Sequence, residues 1–167
     1  IYKVVPVFSE MTCEYGDSVS QNIEDYISGT EWSVHLGELD LSRVDEGHTG
    51  TYQAVVYHGR SRFTYEVTIE DTVAPEIVWK DGQVYLAVGT DYGVEDVIAS
   101  VEDVDPGAEA FFSGGDGISG EIKFNQTGQY NVEIVARDSS GNESQGSVSV
   151  IVDTPPVFQG IRNFYCI

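Results

Sequence analysis

The sequence is poor in cysteine, histidine and basic residues. Its 167 residues include two cysteines, three histidines and eight lysines and arginines, against 28 acidic residues and a formal net charge of -20. A negatively charged protein repels phosphate backbones, so nucleic acid is not expected as a partner. Such a protein attracts cations. No apolar run approaches the roughly 20 residues that a membrane-spanning helix needs, so no membrane contact is expected.

The scarcity of cysteine leaves little scope for disulfides. Recurring prolines divide the chain into three repeats, and Cys13 and Cys166 lie near equivalent points of the first and the third. Residues so far apart in an elongated array would not reach the Cα separation of roughly 5.5 Å that a disulfide requires. We expect both thiols to be free, with pairing of Cys166 inside a longer third repeat as the alternative.

A short proline pattern recurs and divides the chain. Pro6, Pro75 and Pro156 are each followed within two residues by an apolar residue, after an extended run in the second and third cases. Recurrence at intervals of 69 and 81 residues is typical of a modular array with short, stiff linkers. We therefore predict one domain over residues 1–72, a second over residues 73–154 and the start of a third repeat over residues 155–167. Both predicted domains carry an acidic excess, 13 to 4 and 15 to 3.

Alternating apolar residues predict strands and strand hairpins throughout. The clearest case is Phe63, Tyr65, Val67 and Ile69, which should face inward between polar neighbours. Residues 32–36 and 38–41 also alternate and are predicted to be strands. Trp32 and Trp79 both lie in predicted strands and are expected to be core residues. Residues 22–27 and 94–98 match at an offset of 71 and predict one short turn in each unit. Three further residues are expected to face outward: Val55, Tyr57 and Tyr85.

The segments before two tyrosines carry a resemblance. Residues 45–52 and 125–130, which end in Tyr52 and Tyr130, resemble the turn into the penultimate strand of an immunoglobulin-like sandwich, where a tyrosine bonds back across the corner. With the proline linkers and residues 137–142, the sequence is similar to the tandem bacterial Ig-like repeats of cell-surface and secreted proteins. The resemblance implies an all-β chain of two tandem Ig-like β-sandwiches plus the first strand of a third. Ala54 and Val132 stand where antibody domains have a cysteine, so packing alone must hold each sandwich.

Acidic loops suggest one ion site. If the sandwich topology holds, two loops of the second domain and the preceding linker lie at one pole. Carboxylate and amide oxygens from several segments are the ligands that Ca²⁺ takes in proteins. The residues of this predicted calcium site are Glu70, Asp71, Asp103, Asp105, Asp138 and Asn142. The linker is also similar to that of cadherins, although the full cadherin motif is absent. The alternative is a solvated acidic loop pair with no bound metal.

No catalytic set is apparent. His35, His48 and His58 are predicted to lie in a strand, a corner turn and a hairpin, which separates them. A serine or cysteine nucleophile needs a histidine within hydrogen-bond reach, and the metal-ligand spacings of His and Cys are missing. We expect a protein that is not an enzyme and holds no cofactor beyond a possible Ca²⁺ ion.

The expected function is structural. We expect monomeric spacer repeats of an extracellular bacterial protein, at the cell surface or secreted, whose partners are the neighbouring repeats and which support adhesion or display. Two alternatives remain. The loops of the second domain, residues 103–117 and 138–142, could bind a glycan or a host protein, or the chain could be an accessory domain of a surface hydrolase.

Overall fold

A computed structural model describes residues 3–114 and 117–155. The chain forms two compact units, Ile1–Val73 and Ala74–Ile167. The predicted third repeat, residues 155–167 with Cys166, lies outside the described residues except for Pro155. The predicted boundaries of the three repeats therefore stay predictions.

The first unit is built from six strands, with one helical turn on each side of β3. Its larger sheet has the order β2-β6-β5-β4, with β2 parallel to β6, while β1 pairs with β3. The elements are β1 Val5–Pro6, β2 Glu10–Glu14, a 3-10 turn Ile23–Asp25, β3 Ile27–Ser28, α1 Glu31–Val34, β4 Glu38–Asp40, β5 Gly50–His58 and β6 Ser61–Glu70.

The core of the first unit follows the predicted alternation along β6. Tyr65, Val67 and Ile69 are buried and Phe63 packs against them, whereas Glu66 and Glu70 are exposed. The hydroxyl of Tyr65 donates to the carbonyl oxygen of Tyr26 at 2.9 Å, and the two rings meet edge to face with centroids 5.4 Å apart. This aromatic contact joins the larger sheet to the segment that leads into β3.

The second unit repeats this plan with more strands. Its main sheet has the order β12-β11-β14-β15-β8, with β8 parallel to β15, and two further ladders pair β7 with β10 and β9 with β13. The elements are β7 Glu76–Trp79, β8 Val84–Ala87, β9 Asp91–Gly93, a 3-10 turn Val94–Asp96, β10 Ile98–Glu102, β11 Glu109–Gly114, β12 Gly117–Ser119, β13 Glu121–Lys123, β14 Gly128–Arg137 and β15 Glu143–Asp153.

The two 3-10 turns show that the units are copies of one design. They start at Ile23 and Val94, at the predicted offset of 71 residues. Each is followed by two buried residues, Tyr26 and Ile27 in the first unit and Val97 and Ile98 in the second, all at most 3% exposed. The equivalent segments therefore anchor equivalent cores.

The corner tyrosines confirm the predicted fold class. Tyr52 donates its hydroxyl proton to the carbonyl oxygen of His48 at 2.9 Å, and Tyr130 does the same to Gln126 at 3.0 Å. Gly50 and Gly128, two residues before each tyrosine, have φ angles of 151° and 156°, which favour glycine. The chain is all-β. Each unit is an Ig-like β-sandwich with its own core between its two layers.

The predicted strand over residues 32–36 is wrong. These residues form α1 and its C-terminal end: Thr30 caps the helix by accepting from the backbone N–H of Ser33 at 3.3 Å, and His35 is the C-cap. In a helix, residues two apart do not share a face, so Trp32 and Val34 point in different directions, and Val34 is the buried one. Trp32 is accordingly 66% exposed and not a core residue.

The other expectations for large side chains have mixed outcomes. Trp79 is partly buried and packs against the second core, as predicted. Tyr57 and Tyr85 are 43% and 70% exposed, which confirms that they face outward. Val55 is 2% exposed, so the expectation for it is wrong; it lies on a central strand, flanked by Asp40 of β4 and Thr64 of β6.

Candidate functional site

Two acidic loops of the second unit meet at a hydrogen bond. One follows β10 and contains Asp105, and the other follows β14 and contains Ser139. The Asp105 carboxylate accepts from the backbone N–H of Ser139 at 2.7 Å and from that of Gly107 at 2.8 Å. Hydrogen bonding from Ser139, then from the N–H of Gly107, holds the pKa of Asp105 below its ordinary value. The ionised carboxylate therefore ties the loops together.

Asp138 organises the second of these loops from inside. It is 5% exposed, and its two oxygens accept from the backbone N–H of Asn142 at 2.8 Å and from the Asn142 side-chain amide at 2.7 Å. A positive φ of 91° at Gly141 lets the chain turn back toward Asp138. Buried carboxylates require such donors because an unsatisfied charge is costly.

Asp103 is the residue of this group that is not fully satisfied. Its Oδ1 atom accepts from the backbone N–H of Asp105 at 3.2 Å. Its Oδ2 atom is buried and has no hydrogen-bond partner. A buried acceptor without a donor is unfavourable, so a water molecule or a cation would be stabilised beside it.

The predicted calcium ligands are only partly brought together. Asp103, Asp105, Asp138 and Asn142 lie in the two loops, whereas Glu70 and Asp71 belong to the first unit. Over residues 3–114 and 117–155, no group of three or more His, Cys, Asp or Glu side chains is arranged to hold a metal ion. Since Asp105 and Asp138 use both carboxylate oxygens in hydrogen bonds, the fit to Ca²⁺ depends on Asp103. The calcium site stays a prediction.

The histidines lie in separate places of the first unit. His35 ends α1, while the Nδ1 atom of His48 lies 2.9 Å from the Asp45 carboxylate. The Nε2 atom of His58 lies 2.8 Å from the carbonyl oxygen of Ser33. Hydrogen bonding to His48, then to the N–H of Gly47, lowers the pKa of Asp45. These contacts hold a corner turn and a helix in place.

Cys13 is a free thiol in β2. Burial raises its pKa, and the charges of Asp17, Glu46 and Glu14 raise it further. The thiolate is therefore disfavoured, and a nucleophilic role for Cys13 does not fit this environment.

A further feature, which the sequence did not reveal, is an apolar groove of about 400 Å³ in the second unit. It runs between β10 and the beginning of β11 and has two glutamates at its rim. The lining includes Glu95, Ile98, Val101, Ala108, Glu109 and Ala110. The nearest signal in the sequence was the extra length of residues 103–117, which were expected to be a loop. That expectation is wrong for residues 109–114, which form β11, and the connection between these strands is residues 103–108.

Within the described ranges, the helices are too short to cross a membrane.

No family model and no curated protein matches this sequence. Among solved structures, the fibronectin(III)-like modules of Clostridium thermocellum CbhA align with 96% of this chain and 100% of their own, at 11% identity and a TM-score of 0.36. Domains EC1-2 of human mucin-like protocadherin cover 93% and 100%, at 11% identity and a TM-score of 0.37. Drosophila OTK extracellular domains 3-5 cover 92% and 62%, at 14% identity and a TM-score of 0.41. The fold assignment therefore rests on the sheets and cores of the two units.

Proposed function

We propose that the chain is a non-catalytic spacer in an extracellular bacterial protein, at the cell surface or secreted, where it supports adhesion or the display of other domains. Its units would act by holding the domains on either side of them at a fixed distance from each other. The neighbouring repeats of the same chain would be the partners, and the chain would be a monomer.

The observation that supports this proposal is where the chain enters and leaves the second unit. The hydroxyl of Ser144 donates to the carbonyl oxygen of Pro75, so the first residues of the unit lie beside the start of β15. The chain leaves at Asp153, the last residue of β15 and nine residues beyond Ser144. At roughly 3.3 Å per residue, the two points are about 30 Å apart. A unit with its ends at opposite poles suits a spacer.

The linker residues of the first unit add support. Thr72 donates its backbone N–H and its hydroxyl to the Glu14 carboxylate at 2.6 and 2.8 Å. These hydrogen bonds from Thr72 lower the pKa of Glu14. Thr72 is thus held against its own unit, and few residues remain between it and the fixed φ of Pro75.

The test measures the length of the second unit directly. Dyes on Cys variants of Glu76 and Asp153, in a chain with Cys13→Ser and Cys166→Ser, should report by energy transfer a distance of about 30 Å. Replacing residues 138–142 with the two-residue turn of the first unit, residues 59–60, should leave this distance unchanged, because a spacer depends on strands. Collapse of the distance in the loop variant, with the fold retained in circular dichroism, would contradict the spacer role.

Calcium has one specific observation in its favour, the buried Oδ2 atom of Asp103. A cation there would be held by Asp103 with help from Asp105 and Asp138, and it would offset the repulsion between the loops. A glycan-binding role and an accessory role beside a hydrolase have no comparable support in the described residues. The loop variant also tests the glycan-binding role, because a protein that binds a glycan through this loop would lose its ligand.

A further inference from the structure

Two strands of the second unit have open backbone edges that face one groove. β10 pairs with β7 and with no other described strand. In β11, residues 112–114 pair with β12, so, within the described residues, 109–111 pair only with β14. Unpaired strand edges present N–H and C=O groups that can bind another strand.

The floor between these edges is apolar. Ile98 is 3% exposed, and Val101, Ala108 and Ala110 are partly buried at the groove. A strand that added to β10 would point every second side chain toward this floor. The five residues of β10 offer room for a segment of about 17 Å.

The first unit has a cavity of about 360 Å³ at the corresponding place, and its lining includes Glu24, Ile27 and Val34. There β3 is two residues long, and the chain continues through Gly29 and Thr30 into α1. Ser33 and Val34 of α1 are 1% and 5% exposed, so the helix is packed into the unit. Among residues 74–114 and 117–155 no α-helix does this. The second unit therefore differs in the edge beside its groove, which is a strand of five residues in β10 where β3 has two.

Charge indicates what would fill the groove. Glu95 and Glu109 are exposed at its rim, and residues 73–154 hold 15 acidic and three basic residues. Two of these three are already paired, Lys123 with Asp91 and Arg137 with Glu143. A second copy of this chain, with a net charge of -20, would be repelled. A basic segment would be attracted.

We propose that the open edge of β10 binds an extended segment of another protein in which basic and small apolar residues alternate. The segment adds a strand beside β10, its apolar side chains fill the groove over Ile98 and Val101, and its basic side chains meet Glu95 and Glu109. This binding is additional to the spacer role and does not depend on it.

The test uses the full chain and three synthetic peptides with blocked ends. The first alternates four lysines with three valines; the second has serines in place of the valines, and the third has glutamates in place of the lysines. We expect the first alone to bind, with shifts of the backbone amide resonances of residues 98–101 and 108–110 and slower hydrogen exchange along β10. Binding of the serine peptide with equal affinity would overturn the proposal, as would shifts located elsewhere.

A matched pair of double variants separates the groove from general attraction by charge. Glu95→Lys with Glu109→Lys changes the rim, and Glu121→Lys with Glu133→Lys makes the same change in charge at two exposed residues of the same unit. The rim variant should weaken binding about tenfold and the control less than about twofold. Equal weakening would overturn the proposal. Self-association of the chain in sedimentation, lost in the rim variant, would assign the groove to a second copy instead and would also overturn it.

Discussion

The carboxylate of Asp105 and the backbone N–H of Ser139 are 2.7 Å apart, and this bond joins two loops that are 34 residues apart in the sequence. The sequence placed both residues in loops that should share one pole of the second sandwich. The bond also changes how those loops respond to acid, because the acceptor is an ionised group.

Acidification should loosen the loops of the second unit. The folded-state pKa of Asp105 is lowered, so its contribution to stability is present above the ordinary aspartate pKa of about 3.9 and is lost as the pH falls through the lower folded value. We expect amide exchange at residues 105–107 and 139 to quicken in that range, measured by NMR. Asp105→Asn should show quicker exchange already at pH 7 and less change on acidification.

Removal of the Asp138 carboxylate should be more damaging. Asp138→Ala removes the acceptor of two hydrogen bonds from Asn142 in a partly buried turn. We expect a loss of about 1–3 kcal/mol in the free energy of unfolding of the second unit, measured by urea titration. Glu133→Ala, which removes a carboxylate from an exposed position of β14, is the control. Equal losses in the two variants would contradict the role given to Asp138.

Alkaline conditions should destabilise the first unit. Burial, and then the charge of Asp25, raises the pKa of Tyr26 to about 12 from its ordinary value of 10.0. The neutral phenol is favoured in the folded state, so this stability is fully present below pH 10 and is lost as the pH rises toward 12. Thermal melts should therefore fall in this range. Tyr26→Phe should reduce the dependence on pH, and Tyr57→Phe, at a tyrosine that is 43% exposed, is the matched control.

The two tryptophans should contribute differently to the free energy of unfolding. Trp79 packs against the second core, and we expect Trp79→Ala to cost about 2–3 kcal/mol because a partly buried ring leaves a smaller cavity than a fully buried one. Trp32 is 66% exposed, and Trp32→Ala should stay within about 0.5 kcal/mol. Denaturant titrations of both variants measure this difference, and comparable losses would contradict the placement of Trp32.

Calcium should stabilise the chain modestly if the site forms. Extracellular modules bind Ca²⁺ with Kd of about 10⁻⁴ to 10⁻³ M, so millimolar Ca²⁺ should raise the stability by about 1 kcal/mol. Calorimetry in Ca²⁺ and then in chelator measures the rise, which Asp103→Asn should abolish. A chain that melts identically in both conditions has no such site.

The repeated arrangement of strands could be predicted because it follows from local patterns in the sequence. Alternation in β6 gave the inward set from Phe63 to Ile69, and the residues before Tyr52 and Tyr130 gave the corner hydrogen bonds. These features depend on neighbouring residues, so a single sequence contains them.

The errors arose where two periods could not be distinguished. Trp32, Val34 and Leu36 fit a strand, and one helical turn is too short for a period of 3.6 to show. The better signal was Thr30, which caps the helix by accepting a hydrogen bond from the backbone N–H of Ser33, three residues later. The groove beside β10 was also beyond sequence reasoning, because it depends on which strand edges the fold leaves open. The partial satisfaction of Asp103 depends in the same way on the positions of distant donors.

The parallel pairing of β8 with β15 determines how the second unit bears tension. The chain leaves through β15, so a pull on that end acts along the strand and across its hydrogen bonds from Val84 to Ala87. These bonds are loaded in shear and must break together, whereas a hairpin pulled at its open end separates one pair at a time. In the first unit, β2 and β6 repeat the arrangement over Glu10 to Glu14. In the proposed spacer role, each unit would resist a pull through its own pair of parallel strands.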